Sequence, residues 1–437
     1  MAGLGRLGAM QRRLGALLVV VILFSGCGGS AAPGLALAKA DVPRASADPA
    51  GAGRAAAAIN AFGLELFRGS KSGAGNGEGL DNSVVSPASI ALALAMARAG
   101  AVGQTAVEMD AVLHDVATAD HLAWLNALDG ALASRTGSFK DASAATLPVT
   151  LRITNAPFSQ RGMTLSPAYL EGLAGQFGAG VRLVDYKADA EAARKVINSW
   201  VDGQTEHRIP ELIGAGVLDD NTRLTLVNAI YLKAPWLTPF QTESTKAGTF
   251  SRVDGSTVEA SFMAAQLEDV RYASGNGWQA VELPYVGGSL AMTFIVPDDI
   301  AAFEASLTPA VLDEITGGLG NRTVNLSLPK FGIDTRLELK DILAALGMPT
   351  AFNPDAADFS GITTEEQLYI TAVIHQANID VDEKGTTAAA ATAVVMGRTA
   401  MPVDVVDLRV DRPFLFALRD VPTGAILFLG QVADPTA

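Results

Sequence analysis

The amino-acid sequence predicts an α+β fold. Helical periodicity concentrates in the first half of the chain, and apolar strand-like runs concentrate in the second. No linker or composition shift interrupts residues 55–437. Elements segregated in this way do not read as alternating βαβ units. A chain of 437 residues, 49% apolar and 18% charged, has material for a large core, so residues 55–437 read as one domain. A net charge of −14 argues against nucleic acid as a partner, because a phosphate backbone requires a basic footprint.

The chain opens on a processing segment. Arg6, Arg12 and Arg13 precede an apolar run from Leu14 to Phe24, and Ser25 and Gly26 lead into Cys27, the single cysteine. Positive, apolar and small residues in that order form a secretory signal over residues 1–27. The run falls short of the roughly 20 apolar residues that a membrane span takes. The pattern is similar to a bacterial lipoprotein signal, in which Cys27 would be acylated and become the new N-terminus. Phe24 departs from it, standing where that pattern usually has Leu. The resemblance implies an extracytoplasmic protein whose only tie to the membrane is a lipid on Cys27. One cysteine closes no intramolecular disulfide. Residues 28–54, rich in Gly, Ala, Pro and Ser without an apolar period, read as a flexible tether.

Periodicity begins near Ala55. Ile59, Phe62, Leu66 and Phe67 share one helical stripe, which a glycine-rich loop ends. Val84 and Val85 form a short strand. Ser86 and Pro87 then start a helix that is apolar on every side and therefore belongs in a core. RLTLVNAIYLK and LAMTFIVP read as strands, TVNLSLPKF alternates Val324, Leu326 and Leu328 on one face, and LELKDILAALGM reads as a helix ending at Gly347. Two apolar runs joined across Pro422 and Gly424 give a terminal hairpin. The pair Gly287 and Gly288 marks a turn.

Catalytic signatures are absent from the sequence. The four histidines, His114, His121, His207 and His375, form no HExxH arrangement, and there is no CxxC, GxSxG elbow, phosphate loop or dinucleotide fingerprint. No metal, no cofactor and no enzymatic activity are expected. A hydrolase remains a rival reading, since catalytic triads are geometric and not sequential.

One stretch fits no secondary structure. DVDEKGTTAAAATAVV, from Asp380 to Val395, mixes helix-favouring alanines with strand-favouring Thr and Val, and no charge, aromatic or proline interrupts it from Gly385 to Gly397. It resembles the hinge and proximal reactive-centre loop of the serpins, the serine protease inhibitor family. Five further stretches resemble the same family in family order: NSVVSPASIALALAMARAGAVGQTAVEM, INSWVDGQTEHRIPELI, NAIYLKAPWLTPF, LPKFGIDTRLELKDILAALGM and PFLFALRDVPTGAILFLGQVADP.

The resemblance implies the serpin fold: three β-sheets, about eight or nine helices and an exposed loop on the C-terminal side. It also implies a suicide-substrate inhibitor. A serine protease cleaves the loop, is held as a covalent acyl-enzyme complex, and is carried across the molecule as the cut loop inserts into the main sheet. The hinge residues are Glu383, Gly385, Thr386, Ala388, Ala390 and Thr392. Alternate residues from Thr386 carry no charge, which suits a strand buried on one face, and Gly385 supplies backbone freedom. About thirteen inserted residues at ~3.3 Å each would travel ~40 Å. Thr387 stands where the family often has Glu. Ser86, Ser89, Asn228 and His375 match a polar cluster beneath the centre of the main sheet, with a helix N-cap as the plain alternative for Ser86 and a satisfied core histidine for His375. Trp236 matches the tryptophan at the top of that sheet, and a core tryptophan is the plain alternative. Family loop length places the scissile bond at Thr399–Ala400, with Arg398–Thr399 as the alternative. These favour elastase-like and trypsin-like targets respectively. A monomer able to form loop–sheet polymers is implied. A non-inhibitory binding protein of the same fold is the second functional reading.

Overall fold

Strand-length apolar runs and one wholly apolar helix organise the chain into two hydrogen-bonded strand networks with helices packed around them. The computed structural model describes residues 35–73, 81–114, 120–386 and 404–437. The elements begin with β1 (Ala36–Ala38), α1 (Ala50–Gly73), β2 (Ser83–Val85), α2 (Pro87–Arg98), α3 (Gly103–Val112) and α4 (His121–Ala133). Next come β3 (Gly137–Lys140), β4 (Thr146–Gln160), α5 (Pro167–Phe177), β5 (Val181–Val184), α6 (Tyr186–Gln204) and β6 (Leu224–Pro235). Then follow β7 (Lys246–Ser251), β8 (Thr257–Gly275), β9 (Trp278–Pro284), β10 (Leu290–Pro297), α7 (Ile300–Ser306) and α8 (Pro309–Gly318). The chain continues through β11 (Gly320–Pro329), β12 (Phe331–Glu338), α9 (Lys340–Leu346), β13 (Ala372–Asp382) and β14 (Gly385–Thr386). It closes with β15 (Val405–Arg409), β16 (Phe414–Asp420) and β17 (Ile426–Val432).

The main sheet has the order β1-β5-β4-β6-β14-β13-β12, with β3 joined to β4. The second network runs β15-β11-β8-β9-β10-β16-β17-β2, with β7 on β8. The 19-residue β8 serves both ends of this network: Thr257–Phe262 pair with β7, and Arg271–Gly275 pair with β9. Two sheets therefore share one strand, which accounts for the expected three, and nine α-helices lie among the described residues.

The helix α2 is buried from Pro87 to Ala97, as its apolar circumference requires. On α1, Ile59, Phe62, Leu66 and Phe67 are all at most 2% exposed. At Gly63 a Cβ would stand 2.5 Å from Pro87 Cγ, so only glycine lets α1 cross α2 this closely. Every residue of β16 and β17 is buried. The run LELKDILAALGM is helical only from Lys340, because Leu337 and Glu338 end β12 and pair with His375 and Ile374 of β13.

The tether expected over residues 28–54 needs correction from residue 35 onward. The strand β1 adds an edge to the main sheet through Ala36–Leu183, Leu37–Arg182 and Ala38–Val181. Lys39 Nζ donates to Gly178 O (2.5 Å), and Arg44 donates to Asn126 Oδ1 (2.7 Å) and Asp129 Oδ2 (2.6 Å) on α4. Asn126 Nδ2 donates to Ala45 O (3.0 Å), and Ala45 N–H to Gly175 O of α5 (2.7 Å). Backbone ladder bonds and one arginine hold this strap in place of a buried apolar face, so hydrophobic periodicity carries no sign of it.

Amide hydrogens of Ala36–Ala38 should exchange measurably more slowly than those of an unstructured peptide. Arg44→Ala should cost about 1 kcal/mol in denaturant unfolding and loosen that protection. Exchange at the free-peptide rate in the unaltered chain would show that the strap is not docked.

Candidate functional site: the divided main sheet

At its foot the main sheet is closed. The parallel strands β6 and β13 pair directly from Thr225–Ala372 to Ala229–Gln376. Higher up they part, and β14 stands between their upper ends, pairing Thr386 with Val381 and Ala234, and Gly385 with Asp382 and Pro235. Between these two zones, Ile230–Lys233 of β6 and Ala377–Asp380 of β13 keep their outer partners, β4 and β12, but have no ladder partner toward each other among the described residues. Inner strand edges with unmade backbone bonds are a template for an added strand.

The mouth of this gap is tightly built. Gly385 has φ +144°, and a Cβ there would lie 2.2 Å from Ala234 O, so close approach and backbone conformation both require glycine. Thr386 is 1% exposed and hydrogen-bonded to the buried Tyr285 hydroxyl. Burial raises the Tyr285 pKa above the ordinary phenol value. Tyr285 stacks on Trp236, with ring centroids 4.4 Å apart and planes 12° from parallel. Trp236 donates from Nε1 to Asp382 O (3.0 Å) and from its backbone N–H to Lys384 O (2.9 Å), which ties it to the turn that leads into β14. In that turn the buried Glu383 accepts from Lys330 Nζ (2.9 Å) and Thr245 Oγ1 (2.8 Å). Burial alone would raise the Glu383 pKa, but these bonds hold it below the usual carboxylate value.

Below the gap, Ser86, Ser89, Asn228 and His375 come together, each 0% exposed. The Ser86 backbone N–H donates to His375 Nε2 (3.1 Å), so Nε2 is an acceptor and Nδ1 carries the proton. That proton goes to Asn228 Oδ1 (2.7 Å), which turns Asn228 Nδ2 toward Ser89 Oγ and toward Asn155 Oδ1 (2.6 Å). Flipping the Asn155 amide would add bonds to Ser89 O and Thr154 O, but it would set two NH₂ groups 2.6 Å apart; the fixed backbone donor at Ser86 decides against it. Ser86 is the N-cap of α2 yet makes no side-chain cap bond, and its hydroxyl has no partner among the described residues. Its contribution to the cluster is its backbone. Burial lowers the His375 pKa to about 3, so the ring is neutral.

Of the other hinge and loop residues, Ala388, Ala390, Thr392, Arg398, Thr399 and Ala400 lie outside the described residues, as does Cys27. Sequence reasoning missed Tyr285, Lys330, Thr245 and Asn155. Lys330 lies within LPKF, one of the stretches that carried the resemblance, but nothing local marks it as the partner of Glu383. Among the described residues no group of three or more His, Cys, Asp or Glu could hold a metal ion.

A strand-deficient sheet entered by the first residues of a small-residue loop defines a class of protein. The model of the serpin family, serine protease inhibitors, matches residues 57–435, and the chain belongs to that family. It is 34% identical over 385 residues to leukocyte elastase inhibitor A of Mus musculus, covering 86% of this chain and 97% of the other. It is 36% identical over 386 residues to an uncharacterised serpin-like protein of Thermococcus kodakarensis, covering 86% and 85%. Among solved structures it resembles the native state of tengpin, a thermophilic serpin (TM-score 0.77, 27% identity, 91% and 97% covered). It also resembles thyroxine-binding globulin in complex with thyroxine (TM-score 0.74, 26% identity, 87% and 99% covered).

A histidine whose pKa is lower folded than unfolded binds more protons when unfolded. Its stabilising contribution is therefore complete above the unfolded value and is lost as pH falls toward the folded value. For His375 that window runs from 6.5 down to about 3, and the buried His121, lowered to about 4, acts in the same direction. Acidification from about pH 7.5 to about pH 4.5 should cost roughly 3 kcal/mol through His375. Denaturant unfolding of His375→Gln should show a correspondingly smaller pH dependence than the wild type, and equal dependence would refute the assignment. Lys330→Ala, which leaves Glu383 buried without its cation, should lower stability by ~1–3 kcal/mol in the same assay.

Proposed function

We propose that the protein inhibits a serine endopeptidase as a suicide substrate. The observation that carries this reading is the gap that the described residues leave between β6 and β13, with Thr386 already seated at its mouth and residues 387–403 next in the chain. The protease serine oxygen attacks the carbonyl carbon of Thr399, or of Arg398 in the alternative register. The peptide bond breaks, the new amine leaves with a proton, and the loop stays esterified to the enzyme. The freed segment then extends β14 down the gap and makes the backbone bonds that Ile230–Lys233 and Ala377–Asp380 lack. Ala388, Ala390 and Thr392 follow Thr386 on the inward face, where small uncharged side chains pass without a desolvation cost.

The target class follows from the small residues at Thr399 and Ala400 and from the relatives named as elastase inhibitors, so elastase-like enzymes come first and trypsin-like enzymes, through Arg398, second. On this reading the molecule acts once, is a monomer that can polymerise by inserting its loop into a neighbour, and works outside the cytoplasm on a lipid at Cys27.

Mixing the protein with an elastase-like protease should give a covalent complex that survives denaturing electrophoresis, and nicking the loop should raise the thermal midpoint sharply. Thr386→Arg would place an unpartnered charge against Tyr285 in the sheet interior, slowing insertion until the variant is cleaved as a substrate. Clean turnover of the wild type across an elastase-like and trypsin-like panel, with no complex and no change in melting, would favour the non-inhibitory binding reading.

A further inference from the structure

At the edge of the main sheet the strap, β4, β5 and α6 line an open cavity of about 310 Å³, and it holds an arginine without a hydrogen-bond acceptor among the described residues. Arg182, on β5, lies with its guanidinium 4.4 Å from the Trp200 ring centroid on α6. It makes no ion pair and no side-chain hydrogen bond among the described residues. Burial lowers its pKa from the ordinary arginine value with no carboxylate to oppose the shift. A ring face satisfies the charge in part but takes none of the guanidinium's five N–H donors in a hydrogen bond.

A second cation shares the cavity. Leu37 pairs with Arg182 across β1 and β5, and Lys39, two residues on, projects to the same side of the edge. Lys39 Nζ is turned onto Gly178 O and meets no carboxylate. The acid in the lining, Asp129, is committed to Arg44. In a chain of net charge −14, this cavity is locally positive and already shaped. Its other polar lining includes the amides of Asn155 and Gln204, which can orient oxygen-rich groups.

We propose that this cavity binds a small dicarboxylate, one carboxylate lying in the fork of Arg182 and the other reaching Lys39. A planar fork matches a carboxylate with two parallel bonds, the aromatic face of Trp200 fixes its plane, and a lysine serves as a point charge for the far end. The volume exceeds what a single phosphate fills. The site bridges the strap to the sheet, and its lining includes Asn155, which accepts from Asn228. The proposal stands on this geometry and does not depend on protease inhibition.

Calorimetric titration with succinate tests it. The wild type should bind one succinate per chain saturably, with a change in tryptophan emission that Trp200→Phe removes, and the uncharged diamide succinamide should not bind. Arg182→Gln, checked for native melting, should weaken binding at least tenfold. Arg322→Gln, on an exposed residue of β11, should leave it unchanged. Absence of saturable succinate binding to the wild type would overturn the site. So would undiminished binding by Arg182→Gln, or binding of inorganic phosphate in place of succinate.

Discussion

Backbone hydrogen bonds left unmade in the middle of a β-sheet are the constraint on which the rest of this structure turns. Between its zipped foot and its stoppered mouth, no described strand of the main sheet joins β6 to β13. A backbone hydrogen bond is worth on the order of 1 kcal/mol net, and a whole domain is stable by only about 5–15 kcal/mol. A strand laid down the full gap would therefore compete with the stability of the entire native state. Something must keep the gap in place, and the structure puts polar and aromatic contacts at both ends. Below, a neutral histidine reads out a single backbone donor and passes the direction of every amide along to Asn155. Above, Trp236 and Tyr285 form a stacked plug on which Thr386 rests.

The two ends differ in chemistry because they do different work. In the lower cluster Ser86, Ser89, Asn228 and His375 are fully buried and Asn155 partly so, so their bonds are costly to break without replacement, and they tie together α2, β4, β6 and β13. Parting the sheet means exchanging those partners together. The upper end combines packing, the hydrogen bonds of Trp236, Tyr285 and Thr245, and one ion pair, Lys330 with Glu383, whose lysine is 39% exposed and within reach of solvent. The ion pair at the mouth is therefore nearer to solvent than any bond of the lower cluster, and it is at the mouth that β14 stands between β6 and β13.

Much of this was legible in the sequence wherever one residue's neighbours along the chain announce its environment. The wholly apolar α2, the alternation in β11 and the terminal hairpin follow from periodicity, and of the small-residue run only Gly385 and Thr386, which form β14, lie within the described residues. The strap did not announce itself, because the Ala- and Pro-containing run of residues 35–49 gives no helical period, and much of its order comes from Arg44 meeting a helix far along the chain. Tyr285, Lys330 and Asn155 were invisible for a related reason: their partners are remote in sequence, Tyr285 and Lys330 look like ordinary strand ends, and Asn155 looks like an ordinary residue within a strand. Ser86 is legible as a polar residue at a helix start, but the sequence does not show that its backbone N–H makes the bond to His375.

The terminal hairpin has a further consequence for how the molecule comes into being. In β17, Leu429–Gln431 pair with Val85–Ser83 of β2, so one of the earliest strands finds its neighbour only in almost the last residues to be synthesised. A nascent chain cannot close this network before β17 has been made, so β2 stays without this neighbour while everything between them is synthesised.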